Sequence, residues 1–392
     1  MKNIIRREIV EMNEEILEHM EKLKKYKILI YPFNEDSIAL KEVLESKLGV
    51  QVDFICNDTM PSEKCSSEVM PFCEVLEYKK SHDVCVFLSN KEEYGWFYDF
   101  EKFQNTGISS SDIVTHHQLS YYMKILENHG MEIDDFVKEY RIISSDEIVN
   151  KRADITFENL DECIGAYNLF ADELSKKTFA RILCKKILNC RFYFDVYSPN
   201  EYFDKSIIQL SENEVFFDAG AFTGDSIDDF IKNCGNKYNH IYAFEPDNSV
   251  FAELVANAGK YENITFFNTG LYDETQKVRF KNAELGSSHI WNWCDDGLGT
   301  SEYQDKCVLK GDVLNLEPTF IKMDIEGAEI KALSGLEKTI KTNHPQLAIC
   351  AYHMPDDIWK IPSHIKKMDD NYKIYLRHHS YTDSETVCYA TR

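Results

Sequence analysis

Val-Phe-Phe-Asp-Ala-Gly-Ala-Phe-Thr-Gly-Asp-Ser, residues Val215–Ser226, decides the reading of this chain. An apolar run ends on Asp218 and passes through Gly220 and Gly224 into a polar segment with helical apolar spacing, SIDDFIKNCG (226–235). A strand that runs through D-x-G-x-x-x-G into a helix lets the backbone pass close under a ligand, and it turns the helix N-terminus toward that ligand's polar groups. Taken alone, such a turn is also an ordinary tight strand-to-helix connection.

Outward from this turn, strands and helices alternate. HIYAFEP (240–246), ITFFNTGLYD (264–273), FIKMDIEG (320–327) and PQLAICAY (345–352) read as strands, with NSVFAELVANAG (248–259) and AEIKALSGLEKTIKT (328–342) as helices between them. The pattern predicts a mostly parallel α/β sheet. After DIWKIPSHIKKM (357–368), the last two strands, YKIYLRHHS (372–380) and ETVCYA (385–390), are separated by a short polar turn and must therefore pair antiparallel.

Acids fall where strands end. Glu245 follows Gly220 by 25 residues, at the tip of the next strand, where a carboxylate can accept both hydroxyls of a ribose; a solvated strand end is the alternative. Asp324, Glu326 and Glu329 cluster where the fourth strand reaches the carboxyl edge of the sheet, the edge at which open α/β sheets bind ligands. Asp324 is a candidate to position an acceptor or take its proton, Glu326 to orient a substrate or cap the next helix, and Glu329 to cap. His353 ends the strand LAICAYH at the same edge and is a third candidate base, titrating near neutrality. Adjacent pairs His116-His117 and His378-His379 diverge in an extended chain and are read as non-ligands.

The motifs VFFDAGAFTGDS, YAFEPD, NTGLYDE, GSS (286–288) and FIKMDIEGAEIKALSGLEKTI, taken together, resemble the FkbM family of methyltransferases. The resemblance runs from about Tyr202 to the C-terminus, close to half the chain, and IKMDIEGAE is its most specific part. It implies a class I methyltransferase fold, a Rossmann-like sheet with a C-terminal antiparallel hairpin. It also implies S-adenosyl-L-methionine as cofactor and O-methylation of a sugar, glycan, glycolipid or related natural product. Carried over by position, Asp218, Gly220, Gly224 and Glu245 would hold the cofactor, with Asp324 and Glu326 lining the reacting end and Asp312 matching an acid before the fourth strand. The second reading, from a different class, is a catalytically silent module that keeps the fold and docks a glycan-assembly partner. Trp291 and Trp293, after the Gly-Ser-Ser turn, are candidates to stack on a sugar or close over the cofactor, or simply to pack on the sheet; Tyr202-Phe203 are candidates to cover the cofactor or to fill the core.

The rest of the chain divides into two further stretches. Residues 1–112 begin with an amphipathic helix, Ile4 to Leu23 at helical spacing, and continue as a small α/β unit with strands YKILIYPF, VQVDFICND and SHDVCVFLS. The turn after its first strand, Tyr31 to Asp36, has no glycine and two carboxylates, so a dinucleotide pyrophosphate is not expected there; a structural or docking role is. Residues 113–200 read mainly as a helical linker or cap, and SPNEYFD (198–204) is a polar break placed before the catalytic unit, 201–392.

Bulk numbers narrow the classes. With 44 Lys+Arg against 67 Asp+Glu, a net of -23, a phosphate backbone is repelled and nucleic acid is not an expected partner. Twelve cysteines without a C-x-x-C pair argue against structural zinc, and no metal site is expected. No apolar run approaches the ~20 residues of a membrane span, and the N-terminus lacks the apolar stretch of a signal peptide. A reducing cytoplasm is the expected compartment, and a homo-oligomer is compatible with all of this.

Overall fold

The computed structural model describes residues 1–58, 69–90, 95–127, 147–188, 196–281, 289–290, 303–381 and 384–392. Two compact units emerge: Lys2–Ser145 with Cys184–Asp195, and Asp146–Leu183 with Val196–Arg392. The helical stretch read between 113 and 200 is therefore divided between them, helices Glu147–Glu158 and Leu160–Leu169 falling in the C-terminal unit.

In the N-terminal unit the helix Lys2–Leu23 buries Ile5, Ile9, Met12, Ile16 and Leu23, the stripe its 3.6-residue spacing predicts. Five parallel strands follow: β1 (Lys27–Tyr31), β2 (Val52–Asn57), β3 (Val69–Pro71), β4 (Val84–Leu88) and β5 (Ile113–Val114), in the order β3-β2-β1-β4-β5. The turn after β1 is occupied by the chain itself. Asn34 caps helix Glu35–Val43, accepting from the Ser37 amide at 2.8 Å while the Ser37 hydroxyl accepts from the Asn34 amide at 3.0 Å.

The C-terminal unit is built on seven strands: β6 (Val215–Ala219), β7 (His240–Phe244), β8 (Ile264–Phe267), β13 (Phe320–Met323), β14 (Gln346–Cys350), β15 (Lys373–His378) and β16 (Thr386–Thr391). Their order is β15-β16-β14-β13-β6-β7-β8; β16 runs antiparallel to both β14 and β15 and the remaining pairs are parallel. This is the sheet and hairpin expected from the sequence. The central strands are apolar on both faces, as a sheet covered by helices on two sides requires. Phe203, Phe216, Phe230 and Phe320 stack in its core, with Phe216 and Phe230 4.4 Å apart between ring centroids.

Two details depart from the sequence reading. ITFFNTGLYD is not one strand: β8 ends at Phe267, and β9 (Gly270–Tyr272) joins a second sheet with β10 (Gln276–Lys281), β11 (His289–Ile290) and β12 (Tyr303–Lys310), ordered β11-β10-β12-β9. Likewise AEIKALSGLEKTIKT forms two helices, Glu329–Gly335 and Glu337–Asn343. Gly335 lies against the chain at Tyr272, where a Cβ would fall 1.9 Å from the carbonyl oxygen. The close approach of these two segments breaks the helix.

Candidate active site

At the carboxyl edge of the seven-stranded sheet lies a cavity of about 380 Å³, within the range that small-molecule and cofactor sites occupy. Gly220 after β6, Glu245 after β7, and Asp324 and Glu326 after β13 all line it. Of the residues singled out from the sequence, these four and Tyr202 are brought together. Asp218, Gly224 and His353 are not among the lining residues, and Trp291 and Trp293 lie outside the described residues.

Gly220 has φ 77°, and a Cβ there would sit 1.8 Å from the Asp324 carbonyl oxygen. Only glycine lets the β6 turn and the end of β13 approach this closely. Gly224, φ 96°, opens helix Asp225–Asn233 and packs on Leu254 and Ala258, so its role is backbone conformation and helix packing.

Asp218 is fully buried and is not among the residues that line the cavity. Its carboxylate accepts from the Ser226 hydroxyl at 2.6 Å and pairs with the Lys322 ammonium at 3.1 Å. Burial raises the Asp218 carboxyl, opposed by Lys322 and Ser226. Burial works against charge on Lys322 too, but Asp218 and Asp324 outweigh it and hold the amine above its ordinary range. Lys322 also donates to the Gly220 carbonyl at 2.7 Å, so the buried pair fixes the turn that carries the glycine.

Asp324 is the best-anchored acid. It accepts from the Tyr202 hydroxyl at 2.9 Å and from that of Tyr352 at 3.3 Å, and His353 Nε2 lies 3.3 Å away. Burial alone would raise it; His353, Lys322 and Tyr202 prevail and hold it well below the usual carboxylate range. Tyr202 has a left-handed φ of 60°, rare for an aromatic residue, and thereby aims its hydroxyl at Asp324 while Phe203 fills the core. Of the pair, Phe203 packs in the core and Tyr202 lines the cavity.

His353 is not the free base anticipated for it. Nδ1 is 2.9 Å from Glu329 Oε1, Nε2 faces Asp324, and Glu326 Oε2 is 3.7 Å from Nε2. Burial lowers the imidazole, but Glu329 and Asp324 overcome this and hold it well above its ordinary range. A protonated imidazole has no lone pair to offer. Glu329, buried, also accepts from the Ile325 amide at 3.0 Å, so it both closes the turn before its helix and anchors His353. Asp324, Glu329 and His353 bring ligand-type atoms within 4.8 Å of one another, a grouping the bridging imidazolium already accounts for.

Glu245 is buried, accepts from the Asp247 amide at 2.8 Å, and is pushed up to about 7 by burial. Asp312 lies elsewhere. It accepts from the Thr339 amide and hydroxyl at 2.9 and 2.8 Å, holding the first turn of helix Glu337–Asn343. Sequence reasoning missed Glu201, Tyr352 and Glu385 as cavity residues. Glu201 was hidden in what reads as a polar break, and Glu385 in the hairpin turn; neither carries a spacing signal.

An open α/β sheet of order 3-2-1-4-5-7-6 by strand sequence, with a glycine turn after its first strand and acids after its second and fourth, is that of a class I methyltransferase domain. Residues 218–381 match the family model described as the methyltransferase FkbM domain, so the C-terminal unit carries an FkbM methyltransferase domain. The crystal structure of methyltransferase FkbM from Methylobacillus flagellatus KT superposes with a TM-score of 0.55 at 19% identity, over 97% of this chain and 99% of that one, and shares the fold. Among curated proteins, the hexuronic acid methyltransferase AglP of Haloferax volcanii is 25% identical over 162 residues, 40% of this chain. The match spans 65% of that relative's length.

Proposed function

We propose that this chain is an S-adenosyl-L-methionine-dependent O-methyltransferase acting on a hydroxyl of a sugar, glycan or related natural product. The observation that carries the reading is the convergence of Gly220, Glu245 and Asp324, from three strand ends, on one cavity.

The lining suits that cofactor. Seven lining residues bear carboxyls, and the single lining lysine, Lys322, is engaged by Asp218 and the Gly220 carbonyl, so the cavity favours a cationic ligand. Leu271, Val308, Val250 and Pro246 add an apolar stretch fit for a nucleobase. Glu245 would accept the ribose hydroxyls, and the Gly220 turn would pass beneath the amino-acid portion. When bound, the sulfonium supplies an electrophilic methyl group. The chain's task is then to align an acceptor oxygen and remove its proton, alignment being worth several kcal/mol of barrier, ~7–11 in well-oriented cases. Asp324, held rigidly by two tyrosines and His353, serves to orient rather than to take a proton.

The name of the Haloferax relative supports a sugar acceptor. Free buried thiols at Cys56, Cys85, Cys163, Cys184, Cys350 and Cys388 support a reducing, cytoplasmic setting. For the N-terminal unit, whose turn after β1 is self-capped, we propose a docking role rather than a second nucleotide site. The test of the function is calorimetry with S-adenosylmethionine and S-adenosylhomocysteine, followed by label transfer to a panel of glycosides. Binding abolished by Glu245→Ala is expected; no binding to the unmutated protein ends the reading.

A further inference from the structure

The site holds several carboxyl groups, and their surroundings divide them. Asp324 is saturated by Tyr202, Tyr352 and His353, and His353 is itself enclosed by Glu329, Asp324 and Glu326. Neither group is placed to accept a proton. Glu201 differs. It lines the cavity, yet one of its carboxyl oxygens, Oε1, is shielded from solvent and accepts no hydrogen bond among the described residues. Around it stand Glu385, from the turn before β16, and Asp324 and Lys322, from β13 and its edge. Tyr202, Cys350, Tyr352 and Tyr389 lie close enough for its charge to act on them.

We propose that the Glu201 carboxylate is the proton acceptor of the transfer. The inference rests on the methyltransferase reading above. In the step, the acceptor hydroxyl oxygen forms its new bond to the methyl carbon as the sulfur–methyl bond breaks. The electron pair of the broken bond stays on sulfur, leaving a neutral thioether, and the hydroxyl proton passes to Glu201.

The same surroundings set when Glu201 can act. Burial, then the charges of Glu385 and Asp324, push its carboxyl up to about 8, against the lesser pull of Tyr202 and Lys322. A carboxyl so placed holds its proton near neutral pH in the empty cavity. A cationic ligand lowers the cost of ionising it, so seating the sulfonium donor expels that proton and produces the base. The donor thus arms its own acceptor of protons.

Two measurements test this. Calorimetry of S-adenosylmethionine binding at pH 7, in buffers of different ionisation enthalpy, counts protons released. The sulfonium should release more than the thioether S-adenosylhomocysteine, and Glu201→Gln should abolish the difference and, by the same linkage, weaken donor binding by about tenfold at pH 7. Methyl transfer to whichever glycoside the unmutated protein methylates should fall at least ~100-fold in Glu201→Gln, with partial recovery in Glu201→Asp. Unchanged proton release, transfer within fivefold of the unmutated rate, or a loss of donor affinity that alone explains the loss of rate would each overturn the role of Glu201. Absence of donor binding in the unmutated protein would instead remove the methyltransferase reading, and this inference with it.

Discussion

His353 Nε2 lies 3.3 Å from Asp324 Oδ1, and its other ring nitrogen lies 2.9 Å from Glu329. One imidazolium thereby joins the strand end that faces the cavity to the helix that follows it. Asp324 and His353 are shifted in opposite directions. Asp324 is depressed, so its contribution to stability is present above the unfolded aspartate value, about 3.9, and is lost as pH falls through the folded one. His353 is raised, so its contribution is complete below about 6.5 and is lost as pH rises toward the folded value. Denaturation from pH 5 to 9 should show His353→Asn to be destabilised most at the acid end, the deficit narrowing above pH ~6.5. Parallel curves would show that the imidazole is neutral.

The buried pair makes a second prediction. Lys322→Met leaves Asp218 charged and unpaired at full burial, which should cost about 3–5 kcal/mol. Adding Asp218→Asn should recover much of that loss, because the uncompensated charge is removed. A double variant no more stable than the single would argue that Lys322 acts mainly through the Gly220 carbonyl.

At the glycine turn, Gly220→Ala and Gly224→Ala should differ sharply. Both carry a left-handed φ, worth about 1–2 kcal/mol each. At Gly220 the new methyl also meets backbone 1.8 Å away, whereas at Gly224 it meets the Leu254 side chain at 3.3 Å. Donor binding by calorimetry should be lost in the first and weakened only a few-fold in the second.

Glu245 offers a trade between stability and binding. Because burial pushes its carboxyl up to about 7, its proton-linked stability is complete below the unfolded glutamate value, about 4.3, and is lost as pH rises through 7. At pH 8 the neutral Glu245→Gln variant should therefore melt higher, by on the order of 1 kcal/mol, or a few degrees. Its affinity for the donor should fall at least tenfold. A lower melting temperature at pH 8 would mean that the Asp247 amide already compensates the buried charge.

The seven-stranded sheet was legible because its strands are apolar runs bounded by turns, and the final hairpin because its connection is too short for a crossover. Gly220, Glu245 and Asp324 were legible because strand ends of a parallel sheet share one edge. What failed depended on contacts that periodicity does not encode. His353 reads as a neutral-range histidine until Glu329, an apparent cap, is found against it. Asp218 reads as an open strand end until Lys322, directly opposite on the adjacent strand, is found paired with it in the interior. The four-stranded sheet was missed because Asn268 and Thr269 divert an apparently continuous run, and Glu201 because nothing in SPNEYFD marks one acid as enclosed.

In the ladder between β6 and β13, Lys322 is the residue directly opposite Asp218. Slipping one strand by a single position would turn both side chains toward opposite faces and strand two charges in a phenylalanine-rich interior. Apolar residues on both faces of these strands would tolerate such a slip almost indifferently. The ion pair does not, and so the alignment of the β6 turn with Asp324 is policed by a pair of residues of which one does not line the cavity at all.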